Sequence, residues 1–298
     1  MFRIGNRRIG PGRPVYVVAE MSANHNQSYD RAVEIVRAAA KCGADAVKLQ
    51  TYTPDTITID CDSEYFRIKG TIWKGKNLYK LYGEAHTPWQ WQPKLKKVAA
   101  KLGLDLFSTP FDFSSVDFLE KMGVPAYKVA SFELVDIPLI RRIARTRKPI
   151  IMSTGMATLG EIDEAVRAAR EAGARQIALL KCTSEYPAPP EEMNLRTIPH
   201  LAEAFGVVTG LSDHSMGSAV PVAAVAMGAC IIEKHFTLSR SDPGPDSKFS
   251  MEPAEFAEMV AAIRTVQKAL GRVCYEVSPH EAASRVFRRR RVGARALE

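Results

Sequence analysis

Two histidines in this 298-residue chain stand where metal chemistry is done. His214 lies in Leu-Ser-Asp-His-Ser and His235 in Ile-Ile-Glu-Lys-His-Phe, each where a short apolar run gives way to polar residues. A neutral imidazole is a good ligand for a divalent cation, and two that end neighbouring strands can converge on one point. A lone histidine is usually structural, but a facing pair points to a metal. Two nitrogens do not complete a coordination sphere, so carboxylate, substrate and water must supply the rest. That favours Mn²⁺ or Mg²⁺ over a structural zinc.

The other polar residues that follow apolar runs are of a matching kind. They are Glu20; Lys48 and Gln50; Ser108 and Thr109; Lys128, Ser131 and Glu133; Ser153 and Thr154; Lys181, Thr183, Ser184 and Tyr186; Ser212; and Glu233 with Lys234. Lysine offers a point charge, while serine hydroxyls and the N–H groups at helix starts offer neutral donors. Lys48, Lys128, Ser131, Ser153, Ser184 and Ser212 together therefore describe a site for phosphate plus carboxylate. Each serine has an alternative reading as a helix N-cap, and the lysines have one as internal ion-pair partners of Glu20 or Glu133.

Something must hold these residues at one rim. Eight short apolar runs rich in β-branched residues recur along the chain, at 15–19, 46–49, 104–107, 126–130, 149–152, 177–180, 207–211 and 230–232. Between them run amphipathic stretches, among them 29–41, 114–121, 159–171, 192–205, 217–227 and 253–270, several capped by Ser, Thr or Asp and closed by glycine. Strand and helix in alternation imply a parallel sheet. Eight such units match a (β/α)₈ TIM barrel, whose chemistry sits at the C-terminal mouth, better than an open doubly wound sheet with a glycine-rich first turn. The first turn here, Glu20 to Asn24, has no such glycines. The stretch 51–86 is long for a strand-to-helix loop and reads as a substrate lid or wall. Residues 1–280 are read as the barrel and 281–298 as an arginine-rich tail.

Composition excludes other classes. The N-terminus has no apolar signal segment, and no run of about eighteen apolar residues exists to cross a membrane, so a cytoplasmic protein is expected. Five cysteines, an odd number without CxxC spacing, argue for reduced thiols over disulfides or zinc. The formal net charge is +8, part of it in Arg285 and Arg288–Arg291. With no aromatic or glycine pattern of a nucleic-acid module beside it, that run reads as a solvated helix end or linker, and no nucleic-acid partner is expected. A different enzyme class, a Schiff-base aldolase, would use Lys181 at the end of the sixth run.

The motifs themselves resemble the sialic acid synthase family from residue 14 to about 272. They are Ala-Glu-Met-Ser-Ala-Asn-His-Asn (19–26), Gly-Ala-Asp-Ala-Val-Lys-Leu-Gln-Thr-Tyr (43–52), Ser-Thr-Pro-Phe-Asp (108–112), Tyr-Lys-Val-Ala-Ser-Phe-Glu (127–133), Ser-Thr-Gly-Met-Ala (153–157), Lys-Cys-Thr-Ser-Glu-Tyr-Pro (181–187), Gly-Leu-Ser-Asp-His-Ser (210–215), Glu-Lys-His-Phe (233–236) and Gly-Pro-Asp-Ser (244–247). Residues 51–56, 70–79 and Pro-Asp-Ser resemble the pseudaminic acid branch. A neuraminate branch would more often carry Asn in place of Ser184 and His in place of Ser247.

The resemblance implies condensation of phosphoenolpyruvate with an amino-sugar aldehyde, with C–O cleavage and release of phosphate. In this branch the aldehyde is 2,4-diacetamido-2,4,6-trideoxy-L-altrose. Sister activities would make N-acetylneuraminate or legionaminic acid. The resemblance further implies His214 and His235 as ligands of Mn²⁺ or Mg²⁺. Lys48, Lys128, Ser131, Ser153, Ser184 and Ser212 would hold phosphoenolpyruvate with Tyr186 close by. Glu20 would act on water or a sugar hydroxyl, and Asp246, Glu133 and Asn77 would face the sugar. It implies a homodimer too, and a small antifreeze-like domain beyond the tail, which this chain stops before.

Overall fold

The computed structural model describes residues 2–69 and 73–288. A two-stranded antiparallel hairpin comes first, β1 (Phe2–Ile4) and β2 (Arg7–Ile9). Eight parallel strands then close into a barrel: β3 (Tyr16–Glu20), β4 (Ala46–Thr51), β5 (Asp105–Pro110), β6 (Tyr127–Val129), β7 (Ile150–Ser153), β8 (Ile177–Cys182), β9 (Val208–Asp213) and β10 (Ile231–His235), with β10 paired to β3. All eight apolar runs become barrel strands. Buried on both faces, they carry apolar residues at most positions short of the mouth, as Val17, Val18, Ile150, Ile151, Leu179 and Leu180 illustrate.

The helices follow from local chemistry. In the helix Tyr29–Lys41, Ala32, Ile35, Val36 and Ala39 recur at helical spacing and are buried against the barrel. Ser28 caps its start by accepting from the Arg31 N–H at 3.3 Å, and Gly43, with φ +83°, lets the chain turn back just after it. Replacing Ile35 with alanine would empty that seam at a cost of about 2–4 kcal/mol. The stretch 192–205 is helical only over Thr197–Phe205. A 3₁₀ turn at Pro190–Glu192 and Asn194 in the left-handed region (φ 44°) interrupt it.

The hairpin stoppers the floor. Phe2, Ile4 and Ile9 join the same core as Phe107, Ile151 and Ile231. Below them Arg7 pairs with Asp105 (3.0 Å) and Asp45 (3.5 Å), and Arg264 from the last barrel helix, Pro253–Leu270, reaches Asp45 at 3.0 Å. At the other end, residues 51–69 and 73–86 carry the helix Leu78–Ala85 and lean over the mouth. Tyr52 meets Tyr82 edge-on at 5.6 Å, while Trp73 donates to Pro245 O at 2.9 Å and packs 6.0 Å from both Tyr186 and Phe249. All five cysteines are free. No helix among the described residues is long and apolar enough to cross a membrane. Of the described residues after Leu270, 271–288, nearly all are exposed, with short turns at Pro279–Ala282 and Ala283–Phe287; residues 289–298, with Arg289–Arg291, lie outside the described residues.

Candidate active site

Strand alternation sends Glu20, Lys48, Lys128, Ser153, Ser212 and Glu233 into the mouth, where they meet as one buried lattice. Lys48 Nζ lies 2.7 Å from Glu20 Oε2 and 3.6 Å from Glu233 Oε1, while Lys128 Nζ is 3.7 Å from the same Glu233 oxygen. Ser212 donates to Glu233 Oε1 at 2.9 Å, Lys128 donates to Ser153 Oγ at 2.7 Å, and Lys48 to Thr109 Oγ1 at 3.3 Å. The ion-pair reading of the lysines thus holds for Lys48 with Glu20, but the shared partner is Glu233 and not Glu133. Glu233 Oε2 has no hydrogen-bond partner among the described residues.

Burial sets the charges. It pushes the Glu20 carboxyl up, against the pull of Lys48, and drives the Lys128 ammonium below its ordinary range, against Glu233. Burial also raises Glu233, yet Lys128, Lys48 and the Ser212 hydroxyl outweigh it and keep this carboxylate low. Two ammonium groups and two carboxylates balance here, so an entering dianion can take over either lysine by displacing a carboxylate oxygen from it. Beside them Ser131 and Ser184 share a hydrogen bond at 2.8 Å. Gly155 (φ +40°) comes so near that an added Cβ would stand 2.3 Å from Ser131 Cβ and 2.7 Å from Ser184 Oγ. This is a close backbone approach of the kind that phosphate cradles need.

The histidine side is different. His214 and His235 end neighbouring strands with ring centroids 5.6 Å apart. His214 Nδ1 lies 2.7 Å from Thr183 O. A carbonyl only accepts, so the ring proton sits on Nδ1 and Nε2 keeps its lone pair. Burial holds His214 down to about 4 and His235 well below its ordinary value, so both rings are neutral, as ligation requires. His235 Nδ1 is buried without a partner, an orphaned lone pair or N–H that a bound group would satisfy. Tyr186 stacks 4.2 Å from His214 and Phe249 lies 5.0 Å from His235. Among the described residues no three His, Cys, Asp or Glu side chains form a complete metal cage. Two neutral imidazoles could hold a divalent cation only if substrate and water supplied its remaining ligands.

Of the residues expected to face the sugar, Asp246 is buried near the first turn, accepting from Ser22 Oγ at 2.5 Å and Ala23 N at 3.2 Å. Glu133, just past β6, keeps Oε2 buried and unpartnered, and burial lifts its carboxyl to about 7. Asn77 is not brought to the cluster. It caps the helix Leu78–Ala85 by accepting from Lys80 N (3.3 Å) and donates to Cys61 O (2.8 Å), so its polar atoms serve the lid. Lys181 also stays out of the lattice, donating to Cys182 O (2.8 Å) and Thr183 Oγ1 (3.4 Å), which leaves a Schiff-base role without support. Residues given no role by sequence turn out to be connectors. Glu233 joins both lysines, and Gln50 donates to Glu20 Oε1 and to Ser22 Oγ, each at 3.0 Å. Their strand-end positions were the available signal.

Comparisons with known proteins agree with this geometry. The chain is 46% identical to pseudaminic acid synthase of Helicobacter pylori over 275 residues, 92% of this chain and 81% of that protein. It is 39% identical to N,N'-diacetyllegionaminic acid synthase of Campylobacter jejuni over 258 residues, 86% and 77% of the two chains. The crystal structure of N-acetylneuraminic acid (sialic acid) synthetase from Leptospira borgpetersenii in complex with citrate superposes with a TM-score of 0.85 at 30% identity, covering 96% of this chain and 95% of that one. The family model described as NeuB matches residues 35–275, a span that includes every strand of the barrel but the first, and by that match and these relatives the chain belongs to the NeuB family.

Proposed function

We propose that this chain condenses phosphoenolpyruvate, 2,4-diacetamido-2,4,6-trideoxy-L-altrose and water into pseudaminic acid and inorganic phosphate. The single observation that carries the reading is the junction of two neutral, buried imidazoles with a lysine–serine lattice at one rim of a barrel whose relatives bear that name. Lys48 and Lys128 would neutralise the phosphate and carboxylate of phosphoenolpyruvate, with Ser131, Ser153, Ser184 and Ser212 donating to their oxygens. His214 and His235 would hold Mn²⁺ or Mg²⁺. When bound, such an ion supplies Lewis acidity at the sugar's aldehyde oxygen.

C3 of the enol attacks the aldehyde carbon; as the new C–C bond forms the C=O π pair moves to the sugar oxygen, which takes up the proton released when water adds, and C2 is left cationic. Glu20, bonded through Gln50 and paired with Lys48, is the base within the lattice that would take a proton from water as it adds to C2. The tetrahedral carbon then expels phosphate with its bridging oxygen, so C–O and not P–O breaks. Asp246 and Glu133 would accept from sugar hydroxyl or amide groups, and the wall formed by Trp73, Tyr186 and Phe249 would exclude water. Partnership as a homodimer belongs to the same proposal.

Phosphate release tests it. With phosphoenolpyruvate and Mn²⁺, the protein should release phosphate with the altrose derivative and not with N-acetylmannosamine, and chelation should abolish release. Turnover with N-acetylmannosamine alone would move the chain to the neuraminate activity, and activity indifferent to EDTA would remove the metal.

A further inference from the structure

We infer that the buried ion pair Lys234–Asp213 is a positioning device that sets the separation of His214 and His235, an inference that rests on the metal-binding reading of those rings. Lys234 and Asp213 are register partners on β10 and β9, and theirs is the last rung of that ladder. Their neighbours Glu233 and Ser212 meet inside the mouth, so alternation turns Lys234 and Asp213 to the outer face, behind the histidines. Among the described residues the β9–β10 register ends at that rung, short of His214 and His235. Lys234 supplies a tie there. Its Nζ lies 2.5 Å from Asp213 Oδ2 and donates to Ser215 O (2.5 Å) and Gly217 O (3.2 Å), bridging over His214 from the residue next to His235. Asp213 completes the bracket by accepting from Ser215 N (2.9 Å) and Ser215 Oγ (2.7 Å) through Oδ1.

One dry network therefore holds the backbone on both sides of His214 and on the near side of His235; the side chain of Lys234 is 2% exposed and that of Asp213 is 0%. A buried pair of this kind contributes little net stability over a well-packed apolar pair, because desolvation offsets the attraction. What it supplies is a fixed distance between two loops. Neither side chain faces the mouth, so phosphoenolpyruvate held by Lys48 and Lys128 would not sense its loss. A metal ligated by both rings would.

The test uses the full chain, with the double variant Asp213→Asn/Lys234→Met, Ser215→Ala, and His214→Ala as the control. Calorimetric titration with Mn²⁺ alone reads ligation, and titration with phosphoenolpyruvate without metal reads the anion half. The double variant should bind Mn²⁺ about tenfold or more weakly and phosphoenolpyruvate within about twofold of the native chain, as losses in the shell behind metal ligands behave. Ser215→Ala removes one hydroxyl and carries the test should the double variant not fold. It should weaken Mn²⁺ about threefold with its circular dichroism unchanged. Native Mn²⁺ affinity in a folded variant, with His214→Ala unable to bind, overturns the positioning role alone. Native Mn²⁺ affinity in His214→Ala overturns the metal reading beneath it.

Discussion

The floor of the barrel half-buries charge and the mouth buries it fully, and the two ends do so in opposite ways. At the floor, Asp45 accepts from Val17 N at 2.9 Å and pairs with Arg7 and Arg264, while Asp105 pairs with Arg7 and accepts from Tyr16 Oη at 2.9 Å. At the mouth, Asn26 Oδ1, Glu133 Oε2, Glu233 Oε2 and His235 Nδ1 are buried without hydrogen-bond partners among the described residues. A folded chain satisfies its buried polar groups unless something else is to satisfy them. The floor is finished by the protein itself, and the mouth is finished by what binds there. The same distinction separates Lys234, fully engaged behind the site, from Lys48 and Lys128, whose partners a substrate can replace.

Breaking the mouth should remove function without weakening the fold. His235→Ala deletes a ring with an orphaned nitrogen, so turnover should fall about a thousandfold or more while the thermal midpoint stays near native. A collapse of stability instead would make His235 a structural histidine. Breaking the floor should do the reverse. Asp45→Ala strands Arg264 and the Val17 N–H, and chemical denaturation should show a loss of about 2–3 kcal/mol with kcat unchanged. A change in kcat larger than the change in stability would erase the contrast between the two ends.

Two smaller perturbations sharpen it within the mouth. Gly155→Ala drives a methyl into Ser131 and Ser184 and forces a left-handed backbone on alanine, so KM for phosphoenolpyruvate should rise about tenfold or more and metal affinity should hold. An unaltered KM would place the anion elsewhere. Glu133 gives a pH signature. Burial lifts its folded value from 4.5 to about 7, so its contribution to stability is intact below 4.5 and is lost as pH rises through 7. Glu133→Gln lacks that loss, so the variant's stability relative to the native chain should climb between pH 5 and 7.5 by about 2 kcal/mol after allowance for partial exposure. A flat difference across that range would mean the carboxylate is solvated.

The distribution of legible and illegible features follows the range of the interactions. All eight barrel strands were readable because a strand buried on both faces writes itself as a continuous apolar run, and the helix Pro253–Leu270 because its periodicity is long. The hairpin Phe2–Ile4/Arg7–Ile9 was not, since three-residue strands are too short to show a period. The paired histidines stood out because both close such runs. The hub role of Glu233 did not, because it depends on barrel closure bringing residues 48 and 128 to residue 233. Asn77 is ambiguous for a related reason. In an irregular lid, an asparagine poised for a ligand and one capping the next helix look alike in sequence, and here the amide caps.

The most direct measurement of the central claim is the fate of the water oxygen. In H₂¹⁸O, with phosphoenolpyruvate and the altrose derivative, water guided by Glu20 to C2 leaves the bridging oxygen on the phosphate, so the released phosphate should carry no label. Phosphate bearing ¹⁸O after a single turnover would mean attack at phosphorus, and the account of this mouth would be contradicted.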